Sequence, residues 1–284
     1  MNLSDAKICI LQIEGTNCDN ETYWAFKRLG ASPEVVHLKQ LIGRDIPKEM
    51  RRSLSDYQCL MFPGGFSAGD YVRAGAIFAA RIKASLANDV KRFIEEGYPV
   101  GGICNGFQIM VELGVLPGIG ETMSQIPQAV LAKNDSDRYE CRPTLLKHEN
   151  KGKCVFTSKL PQNSIVMIPC AHAEGKLTFP KEKEQKMLKR LIDSDQIVFR
   201  YVDSDGNYAG YPWCPNGAIH NIAGICNEHG NVFGLMPHPE RAFQIWQHPD
   251  WTRLAAQAGA SRMSEQGDGK VVFESVLEYI TKKF

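Results

Sequence analysis

Between residues 99 and 111 the chain passes from an apolar run, Pro99-Val100-Gly101-Gly102-Ile103, to a helix-like run, Phe107-Gln108-Ile109-Met110-Val111, with only Cys104-Asn105-Gly106 in between. This is the G-x-Nuc-x-G pattern of a nucleophile elbow, with cysteine at its apex. A strand that turns sharply into a helix leaves no room for side chains beside the nucleophile, hence glycine at 102 and 106. The turn puts the Cys104 sulfur at a helix N-terminus, where the macrodipole and free N–H groups favour a thiolate. It also aims the backbone N–H of Asn105 at a developing oxyanion. Taken alone, the same five residues equally suit a buried cysteine in a glycine-rich turn.

The surrounding pattern places that elbow in an α/β chain. Residues 8–11 read as a buried strand, 20–29 as a helix stopped by Gly30, 34–38 and 59–62 as further strands, and 88–96 as a helix closed by Gly97. Strands alternating with helices point to βαβ units and a mostly parallel central sheet flanked by helices. Near residue 139 the pattern changes to strand-like runs at 141–147, 164–168, 196–202, 218–226 and 232–236, an antiparallel extension on the same sheet. The mixed-charge run 181–190 reads as a solvated helix face. Phe273, Val276, Leu277 and Ile280 fall at i, i+3, i+4 and i+7 in a terminal helix around 270–282. No repeat or linker divides the chain, so 1–284 reads as one domain with an insertion around 243–270.

A thiol nucleophile needs a base, and the base an orienting group. Of the seven histidines, His238 stands out in Met236-Pro237-His238-Pro239-Glu240, directly after the run 232–236. In extended backbone i and i+2 share a face, so His238 and Glu240 can serve one target, and the prolines stiffen the segment. An isolated His-Pro-Glu is otherwise a rigid surface turn. Phe62-Pro63-Gly64-Gly65-Phe66-Ser67 also follows a strand, and its glycines can present N–H groups to a carbonyl oxygen beside Asn105. Each feature is ambiguous by itself. All three at strand ends, where ligand sites of α/β sheets lie, are not.

These motifs resemble the class I glutamine amidotransferases, whose signature is an elbow cysteine followed later by His-x-Glu. Within that family the chain is similar to the glutaminase subunits of purine biosynthesis. The residues that carry the likeness are Gly15-Thr16-Asn17-Cys18-Asp19, Pro63-Gly64-Gly65-Phe66-Ser67 with Gly69-Asp70-Tyr71, and Cys104-Asn105-Gly106-Phe107-Gln108. Further on they are Cys141-Arg142-Pro143, Ala171-His172-Ala173-Glu174-Gly175, Asn221-Ile222-Ala223-Gly224 and Met236 through Arg241. The resemblance implies Cys104 as nucleophile, His238 as general base and acid, and Glu240 as the group orienting His238. It implies Gly64, Gly65, Asn105, Gln108 and His172 as substrate-binding residues; His172 is open to two readings, pocket wall or packed histidine. Ala173 stands where the family usually has glycine. Residues 179–195 and 243–270 look like extra length.

The resemblance further implies hydrolysis of L-glutamine through a cysteine thioester, with ammonia passed to a separate synthetase subunit that works with a small third subunit. That synthetase would use ATP and Mg to amidate formylglycinamide ribonucleotide; this chain has no phosphate-binding loop and needs neither a cofactor nor a metal of its own. Composition agrees with such a role. The formal charge of +1, from 33 Lys and Arg against 32 Asp and Glu, carries no footprint for nucleic acid or an anionic membrane. Nine dispersed cysteines without a CxxC pair, and no signal-like start, fit the cytoplasm. The competing readings are an amidotransferase with another acceptor, a catalytically silent subunit, and a cysteine peptidase or stress protein on a similar sheet.

Overall fold

Apolar strands and amphipathic helices alternate through the first half of the chain. In the computed structural model, which describes residues 1–258 and 266–284, the order is β1 (Lys7–Gln12), α1 (Asp19–Arg28), β2 (Ser32–His37), α2 (Leu38–Ile42), β3 (Cys59–Phe62), α3 (Ala76–Glu95), β4 (Val100–Ile103) and α4 (Asn105–Leu113). Every residue of β3 and β4 is buried, because helices cover both faces of the sheet; their sequences are therefore continuous apolar runs rather than alternations. Where the spacing predicts a helix only over 88–96, α3 begins at Ala76. Its buried residues Phe78, Ala79, Ile82, Leu86, Val90, Phe93 and Ile94 make one continuous stripe at helical spacing.

The second half contains β5 (Val130–Lys133), β6 (Glu140–His148), β7 (Ile165–His172), β8 (Glu174–Thr178), α5 (Glu184–Asp193), β9 (Ile197–Val202), β10 (Ile222–Cys226), β11 (Val232–Leu235), α6 (Trp251–Ala258) and α7 (Lys270–Lys283). Nine strands form one sheet in the order β2-β1-β3-β4-β11-β10-β9-β6-β7. The pairs from β2 to β11 are parallel, and those from β11 to β7 antiparallel. The expected antiparallel extension is therefore continuous with the parallel sheet. Two details differ from the sequence reading. The run at 218–226 is strand only from Ile222, because His220 and Asn221 take φ of 54° and 55° in a turn. β5 and β8 form a separate two-stranded sheet.

Register positions the functional end. β11 runs parallel to β4 with Leu235 opposite Ile103, so both strands finish at the same level. β7 returns to that level from the other side, its Pro169 carbonyl accepting the backbone N–H of His238 at 2.8 Å. The terminal helix α7 buries Phe273, Val276, Leu277 and Ile280, and Phe273 meets Phe26 of α1 edge-on at 5.2 Å. Each such buried side chain is worth roughly 1.5–3 kcal/mol. The expected insertion at 243–270 lies partly outside the described residues. Its described ends are tied down by the Gln244–Gln266 bridge and by Asp268, whose carboxylate accepts the Met167 N–H at 2.7 Å. Among the described residues no helix is long and apolar enough to cross a membrane.

Candidate active site

β4 ends at Ile103 and α4 begins at Asn105, so Cys104 alone turns the chain. It does so at φ 52° and ψ −108°, a backbone state that costs of order 1–3 kcal/mol and persists only where the surroundings over-determine it. The surroundings are explicit. The Cys104 N–H donates to the Leu235 carbonyl at 2.7 Å, and the Cys104 carbonyl accepts the Gln108 N–H at 3.2 Å. A Cβ on Gly106 would stand 1.9 Å from the Phe62 carbonyl oxygen, and one on Gly102 would stand 2.4 Å from Met110 Sδ. Both glycines are thus steric requirements of the elbow. The Cys104 sulfur is held at the α4 N-terminus, 5% exposed and 3.5 Å from the Ala171 carbonyl oxygen.

His238 leaves the sheet beside it. Its Nδ1 lies 2.5 Å from Oε1 of Glu240, and both residues are buried. The pairing arises differently from the extended i, i+2 arrangement expected from sequence: a 3-10 turn over Pro239–Ala242 swings Glu240 round to the ring. Burial works against a charged imidazole, but Glu240, the Cys104 thiol and the Cys18 thiol outweigh it and raise the His238 pKa well above its ordinary value. The Nε2 of His238 and Oε2 of Glu240 are buried with no hydrogen-bond partner among the described residues.

The glycine pair after β3 packs directly on this ring. A Cβ on Gly64 would fall 2.7 Å from His238 Cε1. Gly65 has φ of +147°, and a Cβ there would meet the Asn17 nitrogen at 2.7 Å. The local bridge to the loop after β1 uses the Gly64 carbonyl, which accepts from Asn17 at 3.4 Å, and the Phe66 N–H, which donates to Gly15 at 2.8 Å. That bridge leaves the Gly65 amide out of its ladder. Beyond it Ala68, Gly69, Asp70 and Val72 all have positive φ, a concentration of strain of the kind found at functional loops.

Side chains of α4 hold that loop in place. Asn105 Oδ1 accepts the Ser67 N–H at 3.2 Å, while its Nδ2 donates to Asp70 at 3.4 Å and to Gln108 Oε1 at 2.9 Å. Gln108 Nε2 donates to the Glu174 carbonyl, and Glu174 Oε2 accepts the Ala74 N–H at 3.1 Å. Burial and the Glu174 charge push the Asp70 carboxyl up to about 6. Asn105 and Gln108 therefore link the loop after β3 to the turn between β7 and β8. His172, at the end of β7, combines features of both its sequence readings. Its Nδ1 is 3.1 Å from Asn134 Oδ1, whereas its Nε2 is buried without a partner among the described residues. Asn134 donates its amide hydrogens to the Arg138 and His172 carbonyls, which identifies Oδ1 as the atom facing the ring and assigns the proton to Nδ1. Burial first, then the charge of His238, lower the His172 pKa to about 3, so the ring is neutral.

Two residues quoted in the sequence motifs without a role also stand here. Cys18 Sγ lies 3.1 Å from Arg241 Nη2, and its position beside Gly64 puts it against His238. The signal for Cys18 was available, since it follows β1 as Gly64 follows β3. The nine cysteines are all free, and only Cys141 is exposed. Phe66 and Tyr139, both exposed, set their rings 6.3 Å apart across the two loops.

A nucleophile at an elbow, an imidazole–carboxylate pair and a glycine loop are the parts of an acyl-transfer site. The family model for CobB/CobQ-like glutamine amidotransferase domains matches residues 5–280. The chain belongs to that family. It is 54% identical over 284 residues to the phosphoribosylformylglycinamidine synthase subunit PurQ of Archaeoglobus fulgidus, covering 99% of this chain and 100% of that one. It is 41% identical to the same subunit of Picrophilus torridus over 95% of this chain and 97% of that one. A chain in the structure of PurLQS from Thermotoga maritima superposes with a TM-score of 0.69 at 32% identity, covering 97% of this chain and 99% of that one.

Proposed function

We propose that this chain is the glutaminase subunit of a phosphoribosylformylglycinamidine synthase, acting in the cytoplasm as one domain over 1–284. The observation that carries the reading is Cys104, strained at the head of α4, sharing one buried site with the His238–Glu240 pair. The end-to-end similarity to PurQ subunits supports the choice of acceptor.

The Cys104 thiolate attacks the side-chain carboxamide of L-glutamine, forming a C–S bond and a tetrahedral oxyanion. The N–H groups of Gly64 or Gly65 and of Asn105 hold that oxygen. Protonated His238 gives its proton to the departing nitrogen as the C–N bond breaks, which releases ammonia and leaves a γ-glutamyl thioester. His238, now neutral, takes a proton from water; the hydroxide adds to the thioester and the C–S bond breaks, yielding glutamate and the thiolate. Dividing the reaction in this way suits an amide, whose nitrogen leaves only when protonated. Glu240 keeps the ring oriented throughout. Gln108 and His172 belong to the glutamine pocket.

Ammonia set free in neutral water becomes ammonium and loses its nucleophilicity, so the site functions beside an acceptor. That acceptor is formylglycinamide ribonucleotide on a synthetase subunit, which holds the ATP and Mg, with a small third subunit completing the complex. This chain contributes no cofactor or metal chemistry. Intact-protein mass spectrometry after treatment with a diazo-ketone glutamine analogue, with the synthetase subunit present, tests the reading. One adduct on Cys104 that excess glutamine suppresses is expected. Labelling spread over several cysteines and indifferent to glutamine would overturn it.

A further inference from the structure

Glutamine hydrolysis at Cys104 makes no direct use of Cys18 or Arg241, yet Cys18 lies beside the histidine that performs it and Arg241 holds Cys18. Cys18 is the residue before α1, 1% exposed. Its Sγ is 3.1 Å from Arg241 Nη2 and 3.5 Å from Asn17 Oδ1. A Cβ added to Gly64 would meet His238 Cε1 at 2.7 Å and Cys18 Sγ at 3.2 Å, so the sulfur and the ring edge converge on one glycine. Ligand-type atoms of Cys18, His238 and Glu240 all lie within 4.8 Å of one another. Arg241 follows Glu240 directly, and its half-buried guanidinium donates to the Cys18 sulfur and feels the charges of Glu240 and Glu21.

We infer that Cys18, clamped by Arg241, is a positioning residue for His238, holding the ring together with Glu240 at its Nδ1–Cε1 edge. The inference rests on the assignment of His238 as the proton carrier for Cys104. The physical need is plain. The χ2 torsion of histidine is broad, and one hydrogen bond, Nδ1 to Glu240, leaves the ring free to swing about that contact. A large polarizable sulfur within 4.8 Å of a ring nitrogen narrows the swing, and Gly64 must be glycine because any side chain would occupy the space between sulfur and ring. The clamp joins the ends of two distant strands, β1 and β11, and so couples His238 to the loop that carries Gly64 and Gly65.

The titratable groups facing His238 are Glu240 from its own segment, Cys18 from the start of α1, Cys104 from the elbow, His172 from β7 and Tyr139 from the turn before β6, with Arg241 behind Cys18. Against the effect of burial, Glu240, Cys104 and Cys18 favour the protonated ring. Removing the Cys18 sulfur therefore makes His238 lose its proton at lower pH.

The test uses the chain assembled with its synthetase subunit and measures glutamine-dependent and ammonia-dependent synthesis. Cys18→Ala should lower kcat with glutamine by about tenfold, a fraction of the roughly 10²–10⁴ that acid–base catalysis supplies. KM for glutamine should stay within about twofold, and the alkaline limb of the kcat profile should move to lower pH. Cys18→Ser, which still accepts a hydrogen bond from Arg241, should restore most of the rate. Arg241→Gln should reproduce the shift, and the double variant should lose no more than the worse single one. Ammonia-dependent synthesis should not change. Wild-type kcat and pH profile in Cys18→Ala, or equal losses with glutamine and with ammonia, would overturn the inference. Cys104→Ala run in parallel keeps the two levels apart: if it retained glutamine-dependent turnover, the assignment of the site itself would fail.

Discussion

The parallel half of the sheet, β2-β1-β3-β4-β11, and the antiparallel half, β10-β9-β6-β7, build the same site by different means. Parallel strands all end on one edge, so the loops after β1, β3, β4 and β11 deliver Cys18, Gly64 and Gly65, Cys104, and His238 to one place. Antiparallel strands end on alternating edges and cannot collect loops in this way. That half contributes instead the outer side of the edge strand β7, whose Pro169 and Ala171 carbonyls meet the His238 N–H and the Cys104 sulfur. Side chains for chemistry come from strand ends, and a backbone wall comes from a strand edge.

Substitutions in the two halves should therefore differ in kind as well as size. The largest effect is expected at the elbow. Cys104→Ala should reduce glutamine-dependent turnover on the order of 10⁶-fold, as loss of the nucleophile does in catalytic triads, while ammonia-dependent synthesis by the assembled complex persists. Loss of both activities would recast Cys104 as an assembly residue. Glu240→Gln should cost on the order of 10⁴, since an orienting group is less essential than a nucleophile. A fully active variant would remove Glu240 from the triad.

Stability measurements sharpen the contrast. Gly106→Ala puts a methyl 1.9 Å from the Phe62 carbonyl oxygen and should lower the unfolding free energy by about 3 kcal/mol, the upper range for overpacking. Gly210→Ala, with nothing within 4 Å, should change it by less than about 0.5 kcal/mol. Urea titration of both variants would show whether the elbow glycine is as constrained as its surroundings imply.

The last predicted effect depends on pH and lies in the antiparallel half, at His172. Its folded-state pKa of about 3 is below the ordinary value of 6.5, so below that ordinary value the unfolded chain takes up a proton that the folded chain refuses. Stability is then intact above about pH 6.5 and falls by about 1.4 kcal/mol for each unit of acidification toward pH 3. His172→Asn should lose stability less steeply between about pH 6.5 and pH 5 in urea unfolding. Parallel curves for the two proteins would mean that His172 is not held neutral.

Local sterics and short-range period are legible in the residues alone. The passage from Val100 to Met110 through two glycines admits little but an elbow, because a side chain at 102 or 106 collides with Met110 or Phe62. The segment from Met236 to Glu240 places a histidine and a carboxylate within reach of one another whichever turn joins them. The apolar runs of β3 and β4 read as buried strands, and the stripe at Phe273 to Ile280 as a docked helix. The start of α3 was equally present in its spacing, although masked by the glycine-rich loop before it. Which separate segments share a volume emerges from the assembled sheet: the approach of Cys18 to Arg241 and His238, the fixing of His172 by Asn134, and the approach of the Ala171 carbonyl to the Cys104 sulfur. Such contacts depend on strand order and register, which arise from burial summed over the whole sheet, and no short stretch of sequence carries that sum.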